Sequence, residues 1–583
     1  MTNRTIRTIL ATMAGMALLF WLGDKTGWQV RTDLAGGMTW VDAADRFWLD
    51  LQRPLHFSVD RADLLCGLAF CGLGLLAWAY HASTRLATRP GEEHGSAKWG
   101  KPGDIAPFTD RQPERNLTFT RTERLGLDTR RTQRNLNVLV LGSSGSGKTR
   151  SYVKPNLLAA DMNFACTDPK GELKRDTEQA MQSRGYETRT LDLIHLDRSD
   201  GFNPMRYLDP VEPEPSILRL VDNIITNTTG DRKDSDGFWE RAERALLTAL
   251  IAWVYYTEDG TTTDPDGTIR DNMSLTKAVD MVSLMQASEE DETRESIIDA
   301  QFAEAHTEAE NARAHPEQYD RETLRMLDGL AFACTQYRTF TQGAGETKKS
   351  IIISLGVRLA PLQIRQVRDI LDHDQLDLHS LDEGKRVIYL ETSDTDGTFG
   401  FLAAVFYQSL FEILIRKADS SPDGTLGRDV HCMLDEFANI GKIPNLTRLI
   451  ATIRSRHISA SIILQTYSQG KALYKDDWET IAGNCDSQLF LGGNEKSTTE
   501  YISERLGNQT IDIIETSESK GTNGSHSTSI RKNQRALLDR DELGRLPTNQ
   551  CIYLLRGVRP FISKKIISTD QNAMRKPNPI TVK

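Results

Sequence analysis

Eight consecutive residues, Gly142 to Thr149 (GSSGSGKT), set glycines, a lysine and a hydroxyl at the spacing that lets backbone N–H groups converge on phosphate oxygens. Gly142, Ser143, Ser144, Gly145, Ser146 and Gly147 would form the cradle. Lys148 would bridge β- and γ-phosphates, and the Thr149 hydroxyl would ligate magnesium. A plain Gly/Ser turn shares this composition. Here, however, an apolar run (NVLVL, Asn137 to Leu141) precedes it and a helical stretch follows, which is the context the chemistry needs. Pro155 requires that helix to be short or kinked.

Such a loop needs an acid at the tip of another strand, and VHCMLDEF supplies two. Asp435 would hold the magnesium shell, usually through water, and Glu436 would polarise the attacking water. Gln465 ends the next apolar run, where a polar tip would sense the γ-phosphate; the alternative is a surface amide. Arg454 and Arg456 lie between them, two residues apart on a helical stretch, so at most one reaches a given phosphate. An arginine donated by a neighbouring subunit speeds hydrolysis by roughly a thousandfold or more, whereas a plain surface cation does nothing. The expected cofactors are ATP and Mg2+.

Apolar runs alternate with helical stretches around these residues, the mark of a parallel sheet covered on both faces. The expected strands are NVLVL, NFACTD, RVIYLET, VHCML, ASIILQT, QLFLGG and CIYLL. Between about 201 and 344 the rhythm stops and helical periodicity takes over, with a charged, Ala- and Glu-rich stretch from Ser288 to Leu327. The expected fold is therefore α/β: a RecA-like P-loop domain (84–200 and 345–583) carrying an inserted all-α domain (201–344), behind a membrane anchor (1–83). The Ser/Gly-rich segment Thr516 to Ser529 reads as a loop.

The anchor rests on two apolar stretches, Thr8 to Gly23 and Leu64 to Ala82, each read as a transmembrane helix with an extracytoplasmic loop between. A cleaved signal peptide is the alternative for the first, but no small-x-small site follows Gly23. Arg4, Arg7, Arg85 and Arg89 favour both ends inside, yet Lys25, Arg31, Arg46, Arg53 and Arg61 crowd the connection, so charge alone leaves orientation open. Nucleotide chemistry places the large domain in the cytoplasm, because ATP and magnesium are plentiful there. Trp28, Trp40 and Trp48 would sit at the lipid interface or build a small fold.

Bulk properties exclude some classes. At 583 residues with seven scattered cysteines and no CxxC pair, the chain carries no disulfide framework or zinc pattern. Its net charge of -10 means that any nucleic-acid contact must be local or arise from assembly. The run Arg121, Arg124, Arg130, Arg131 and Arg134 is a candidate, with a solvated surface as the alternative. The absence of HExxH excludes a membrane zinc protease, and the absence of LSGGQ disfavours an ABC transporter.

Taken together, these residues resemble the TraG/TraD-type coupling proteins of conjugative and type IV secretion systems. HGSAKWG (His94 to Gly100), DPKGEL (Asp168 to Leu173), FNPM (Phe202 to Met205) and FWE (Phe238 to Glu240) match that family's pattern. So do LDEFANIGKIPNL (Leu434 to Leu446), the spacing to Gln465, and RALLDRDELGRLP (Arg535 to Pro547). The resemblance implies a homo-hexameric motor in the inner (cell) membrane, multi-pass, at the entrance of a secretion channel. It implies Arg454, rather than Arg456, as the trans-acting arginine. It also implies partners: a relaxase and its single-stranded DNA, or a secreted protein, together with channel components and membrane lipid. The long acidic Ser288–Leu327 stretch, and the lack of an acidic tail after Lys583, depart from the family pattern and bear on relaxase docking. Two other functions compete: a docking receptor whose hydrolysis only times release, and an FtsK-type pump for double-stranded DNA, which would lack DPKGEL and the helical insertion.

Overall fold

The computed structural model describes residues 3–50, 57–83, 89–229, 237–264, 267, 269–285, 295–343, 345–519 and 525–566. Residues 84–88, with Arg85, and parts of the expected acidic stretch (288–294) and Ser/Gly-rich segment (520–524) lie outside them. Two compact units divide the chain, Met1–Glu93 and His94–Lys583.

The first unit is helical: α1 (Asn3–Ala35), α2 (Trp40–Asp50) and α3 (Arg61–Ser83). One described helix, over Arg61–His81, is long and apolar enough to cross a membrane. The second expected span meets that test and the first does not, and two expected extents differ. Helix α1 does not stop at Gly23 but continues through Asp24, Lys25, Arg31 and Asp33, which dilutes its apolar half. The expected loop is largely helix, with Trp28 in α1 and Trp40 and Trp48 in α2.

The second unit is organised by a nine-stranded sheet: β1 (Val138–Leu141), β2 (Asn163–Pro169), β3 (Glu187–Asp192), β4 (Arg386–Thr392), β5 (Val430–Leu434), β6 (Ile458–Leu464), β7 (Ser487–Phe490), β8 (Gln550–Leu555) and β9 (Phe561–Lys564). Their spatial order is β9-β8-β7-β1-β6-β5-β2-β4-β3. The run from β7 to β3 is parallel, whereas β8 and β9 add an antiparallel edge. Alternation divides the core. Val138, Val140, Cys166, Tyr389 and Met433 face one side, while Leu139, Leu141, Ala165, Ile388 and Leu434 face the other, so the central strands β1, β2, β4 and β5 are buried on both faces. All seven expected strands form; β3 and β9 were not expected. Glu187, Arg189, Lys564 and their neighbours interrupt the apolar run that would have marked those two edge strands.

Helices between β3 and β4 run from Pro213 to Leu371, past the expected limit of 344. The stretch is not wholly helical, because Thr261–Thr263 and Ile269–Asp271 pair as an antiparallel ribbon. The expected Ser/Gly-rich loop is also corrected. Asn508–Ser519 and Ser525–Ala536 form a long antiparallel ribbon, in which Ile514 stands opposite Ile530 and Thr516 opposite Thr528 as β-branched cross-strand pairs.

The family-like segments have structural jobs. Asp168 accepts from Leu173 N (2.9 Å) and Lys174 N (2.8 Å), holding the first turn of the helix that begins at Glu172 within DPKGEL. Gly95 lies against Asn508, where any Cβ would meet the Asn508 carbonyl at 2.1 Å.

His431 on β5 is fully buried between Ser459 (Nδ1, 2.7 Å) and Ser461 (Nε2, 2.8 Å) of β6. Burial lowers its pKa to about 3, so the folded ring stays neutral where an unfolded histidine takes a proton near 6.5. Its contribution is therefore present above 6.5 and is lost as pH falls toward 3, at about 1.4 kcal/mol per pH unit. His431→Gln, which keeps a donor and an acceptor, should lose less melting temperature than wild type between pH 7.5 and pH 5.5. Equal losses would contradict this.

Candidate active site

The loop after β1, the acids after β5 and the glutamine after β6 leave three adjacent strands at one edge, because β6 lies between β1 and β5. Register brings them level: Leu464 pairs with Leu141, and Ile462 with Leu434. The carboxyl edge of a parallel sheet is where such folds bind ligands.

Gly145 and Gly147 take positive φ (75° and 88°), the conformations that let the loop turn back on itself. Gly142 has no room for a side chain, since a Cβ would meet Ser146 Oγ at 2.4 Å. After Lys148 the chain makes one π turn (Thr149–Val153) and a short helix (Lys154–Ala159). Pro155 stands in its first turn, as expected of a short helix.

The side chains close on one another. Thr149 Oγ1 donates to Asp435 Oδ2 at 2.7 Å. Lys148, 7% exposed, donates to the Gly142 carbonyl (3.1 Å) and pairs with Glu436 Oε1 at 3.3 Å. Gln465 Nε2 donates to Glu436 Oε2 at 3.0 Å. The Glu436 backbone is left-handed (φ 49°), a strain of about 1–2 kcal/mol at the turn where its side chain meets Lys148. Gln469, not singled out from sequence, accepts from Gln465 N (3.0 Å) and sets that tip. The Thr466-x-x-Gln469 capping box was the readable signal.

Burial pushes the Asp435 carboxyl up to about 6, with the Glu436 charge adding to it, against the Thr149 hydroxyl and Lys148. Carboxylates held so close together suit a cation. The buried Ser146 Oγ has no partner, so the donor set also suits a ligand with oxygen atoms. These residues fit a magnesium-bound triphosphate.

Arg454 is not in this cluster. It precedes β6 while Gln465 follows it, so a seven-residue strand, about 23 Å at 3.3 Å per residue, separates them. Arg454 Nη2 donates to the Thr129 carbonyl (2.8 Å) and lines a cavity of about 240 Å³ with Asp429 and His457. Arg456 pairs with Asp419 through two bonds (2.7 and 3.1 Å). The candidate basic run is not a continuous surface. Arg124 is buried, and Arg134 donates to the Arg556 carbonyl at 2.7 Å.

A mixed sheet with helices on both faces, bearing this cluster at its carboxyl edge, defines a RecA-like P-loop NTPase with an associated helical region. The family model for "Type IV secretory system Conjugative DNA transfer" matches residues 105–579. The chain belongs to that family, the type IV coupling proteins. It is 24% identical over 535 residues to the protein VirD4 of Rhizobium radiobacter, covering 89% of this chain and 70% of that one. It is likewise 24% identical over 424 residues to the conjugal transfer protein TraG of Escherichia coli, covering 70% and 62%. Among solved structures it is similar in fold to the unbound conjugative coupling protein TrwBdeltaN70 (TM-score 0.54, 15% identity, 82% of this chain and 96% of that chain). TrwB in complex with ADP and Mg2+ is equally similar (TM-score 0.54, 15% identity, 84% and 97%).

Proposed function

We propose that this chain is a membrane-anchored, magnesium-dependent ATPase that recruits DNA–relaxase or protein substrates and drives or gates their entry into a secretion channel. The observation that carries it is the closed cluster Thr149–Asp435 and Lys148–Glu436–Gln465 at one sheet edge. Family membership supplies the transport setting, and the family's description, conjugative DNA transfer, supplies DNA as the class of cargo. Magnesium-bound ATP would bring the phosphoanhydride bond and a cation that offsets phosphate charge. Lys148 would exchange Glu436 for phosphate oxygens, and Thr149 and Asp435 would hold the metal. Glu436, freed, would accept a proton from the attacking water, held in position by Gln465. Arg454 would act on a neighbouring protomer's site, which requires a ring, and that ring would be a homo-hexamer. The helices of 201–344 would form the face that meets the relaxase and its strand.

The first unit supports a two-span anchor. Leu65, Leu68, Leu73, Leu76 and Trp78 of α3 are exposed, a surface suited to lipid. Helix α1 packs closely against α3, since a Cβ on Gly67 would meet the Phe20 carbonyl at 2.9 Å, and one on Gly23 the Cys66 carbonyl at 2.7 Å. The charges of α1 flank its apolar run, with Arg4 and Arg7 before it and Asp24 to Asp33 after it; at the latter end Arg31 grips Asp63 (3.2 and 2.7 Å) and Asp24 accepts from Ser58 N (2.9 Å). This polar end would stand outside the hydrocarbon, with both chain ends cytoplasmic.

Lys148→Ala should abolish ATP binding and substrate transfer while leaving relaxase capture intact. Transfer that persists without ATP turnover would replace the motor with a docking receptor.

A further inference from the structure

Lys565 directly follows β9, at the sheet's antiparallel edge, and turns inward until it is nine-tenths buried. Its Nζ donates to the carbonyl of Ser146, inside the phosphate-binding loop, at 2.8 Å. It also donates to the carbonyl of Leu491, just past β7, at 2.6 Å. Its backbone is held by Asn549 O (2.9 Å), and Leu491 N in turn holds Leu141 O (2.8 Å), so the ammonium ties the loop to the two strands beside it.

The charge on this group is the telling feature. Among the described residues no carboxylate lies within ion-pair distance of Lys565; its partners are two neutral carbonyls. Lys148, the other buried lysine at this loop, has Glu436. A buried cation answered only by dipoles costs stability, and an amide would tie two carbonyls without that cost. Desolvation, with Arg150 nearby, also lowers its pKa below that of an ordinary lysine. A charge kept here at such a cost has a use if an anion comes to the loop. The peptide it grips is trans, so the Gly147 N–H points to the side opposite Lys565. Successive N–H groups turned in this way form an anion-binding nest.

We infer that Lys565 is a positioning residue for the phosphate loop: it orients the Ser146–Gly147 peptide and adds a second buried positive charge behind it, favouring the more highly charged triphosphate over the diphosphate. The C-terminal strand β9 thereby becomes part of the nucleotide site. The inference rests on the nucleotide reading above.

The test uses the full chain in detergent with magnesium and fluorescent N-methylanthraniloyl ATP and ADP. Lys565→Met should weaken ATP binding on the order of tenfold and ADP binding about threefold, since the lost attraction scales with ligand charge. Lys565→Arg should restore most of the loss. No loss, or an equal loss for both nucleotides, overturns the inference. If Lys565→Met fails to fold, wild-type protein gives the answer by mass spectrometry: acetic anhydride should modify Lys565 more slowly under saturating ATP than under ADP, and equal rates overturn it. Wild-type protein that binds neither nucleotide would overturn the nucleotide reading itself; wild-type binding with an indifferent Lys565→Met would overturn only this role.

Discussion

Glu436→Gln should stop ATP turnover while tightening ATP binding. The two effects have separate causes in one geometry. Glu436 Oε1 lies 3.3 Å from Lys148, and Oε2 accepts from Gln465 at 3.0 Å. An amide fits the same space and keeps a hydrogen bond to Gln465, so the turn should survive. It cannot take a proton from water, and loss of a general base costs about 10²–10⁴ in rate. It also removes the only carboxylate within ion-pair distance of Lys148 among the described residues, leaving a buried ammonium to be answered by phosphate oxygens instead. Phosphate release should therefore fall by about that factor while the dissociation constant for ATP drops severalfold. Lys148→Ala should move binding the opposite way. If Glu436→Gln weakens ATP binding as much as it lowers turnover, Glu436 is holding the fold rather than acting on water.

The parts of this site legible in the sequence were those where chemistry restricts residue choice. Only glycine takes the positive φ of Gly145 and Gly147 without strain, and only a lysine and a hydroxyl residue complete the loop, so GSSGSGKT speaks for itself. Asp435 and Glu436 were legible because VHCML, apolar but for His431, runs into them. Lys565 was not, since nothing in FISKK marks one lysine as exposed and the next as buried. That difference comes from the antiparallel edge strand, and edge strands lack the apolar run of buried parallel ones. The long ribbon around Thr516 was missed for a related reason. Its polar composition imitates a loop, and cross-strand pairing, invisible locally, overrides it. The first helix was misjudged in length because an apolar run reports where a helix is greasy rather than where it ends; Asp24 and Arg31 stay helical by bonding to Ser58 and Asp63 across the hairpin.

Arg454→Ala should leave each protomer able to bind ATP yet cut turnover about a thousandfold. The length of β6 is the reason: an arginine at the amino end of a strand some 23 Å long cannot touch a phosphate at the carboxyl end of the same sheet. In a ring, the amino-end face of one protomer can meet the carboxyl-end face of the next. Arg454 is suited to this because its one described partner is the Thr129 carbonyl, a neutral acceptor that it can leave for a phosphate at little cost. Arg456 is spent on a two-bond pair with Asp419, so Arg456→Ala should change turnover little, as exposed pairs contribute under about 1 kcal/mol. Complementation separates trans from cis action. Lys148→Ala protomers lack a working site but keep Arg454, whereas Arg454→Ala protomers keep the site and lack the arginine. Each alone should be inactive, and a mixture should regain activity wherever a Lys148→Ala protomer presents its arginine to an intact neighbouring site. A mixture as silent as its parts would place Arg454 outside catalysis, as a tether for the Thr129 turn.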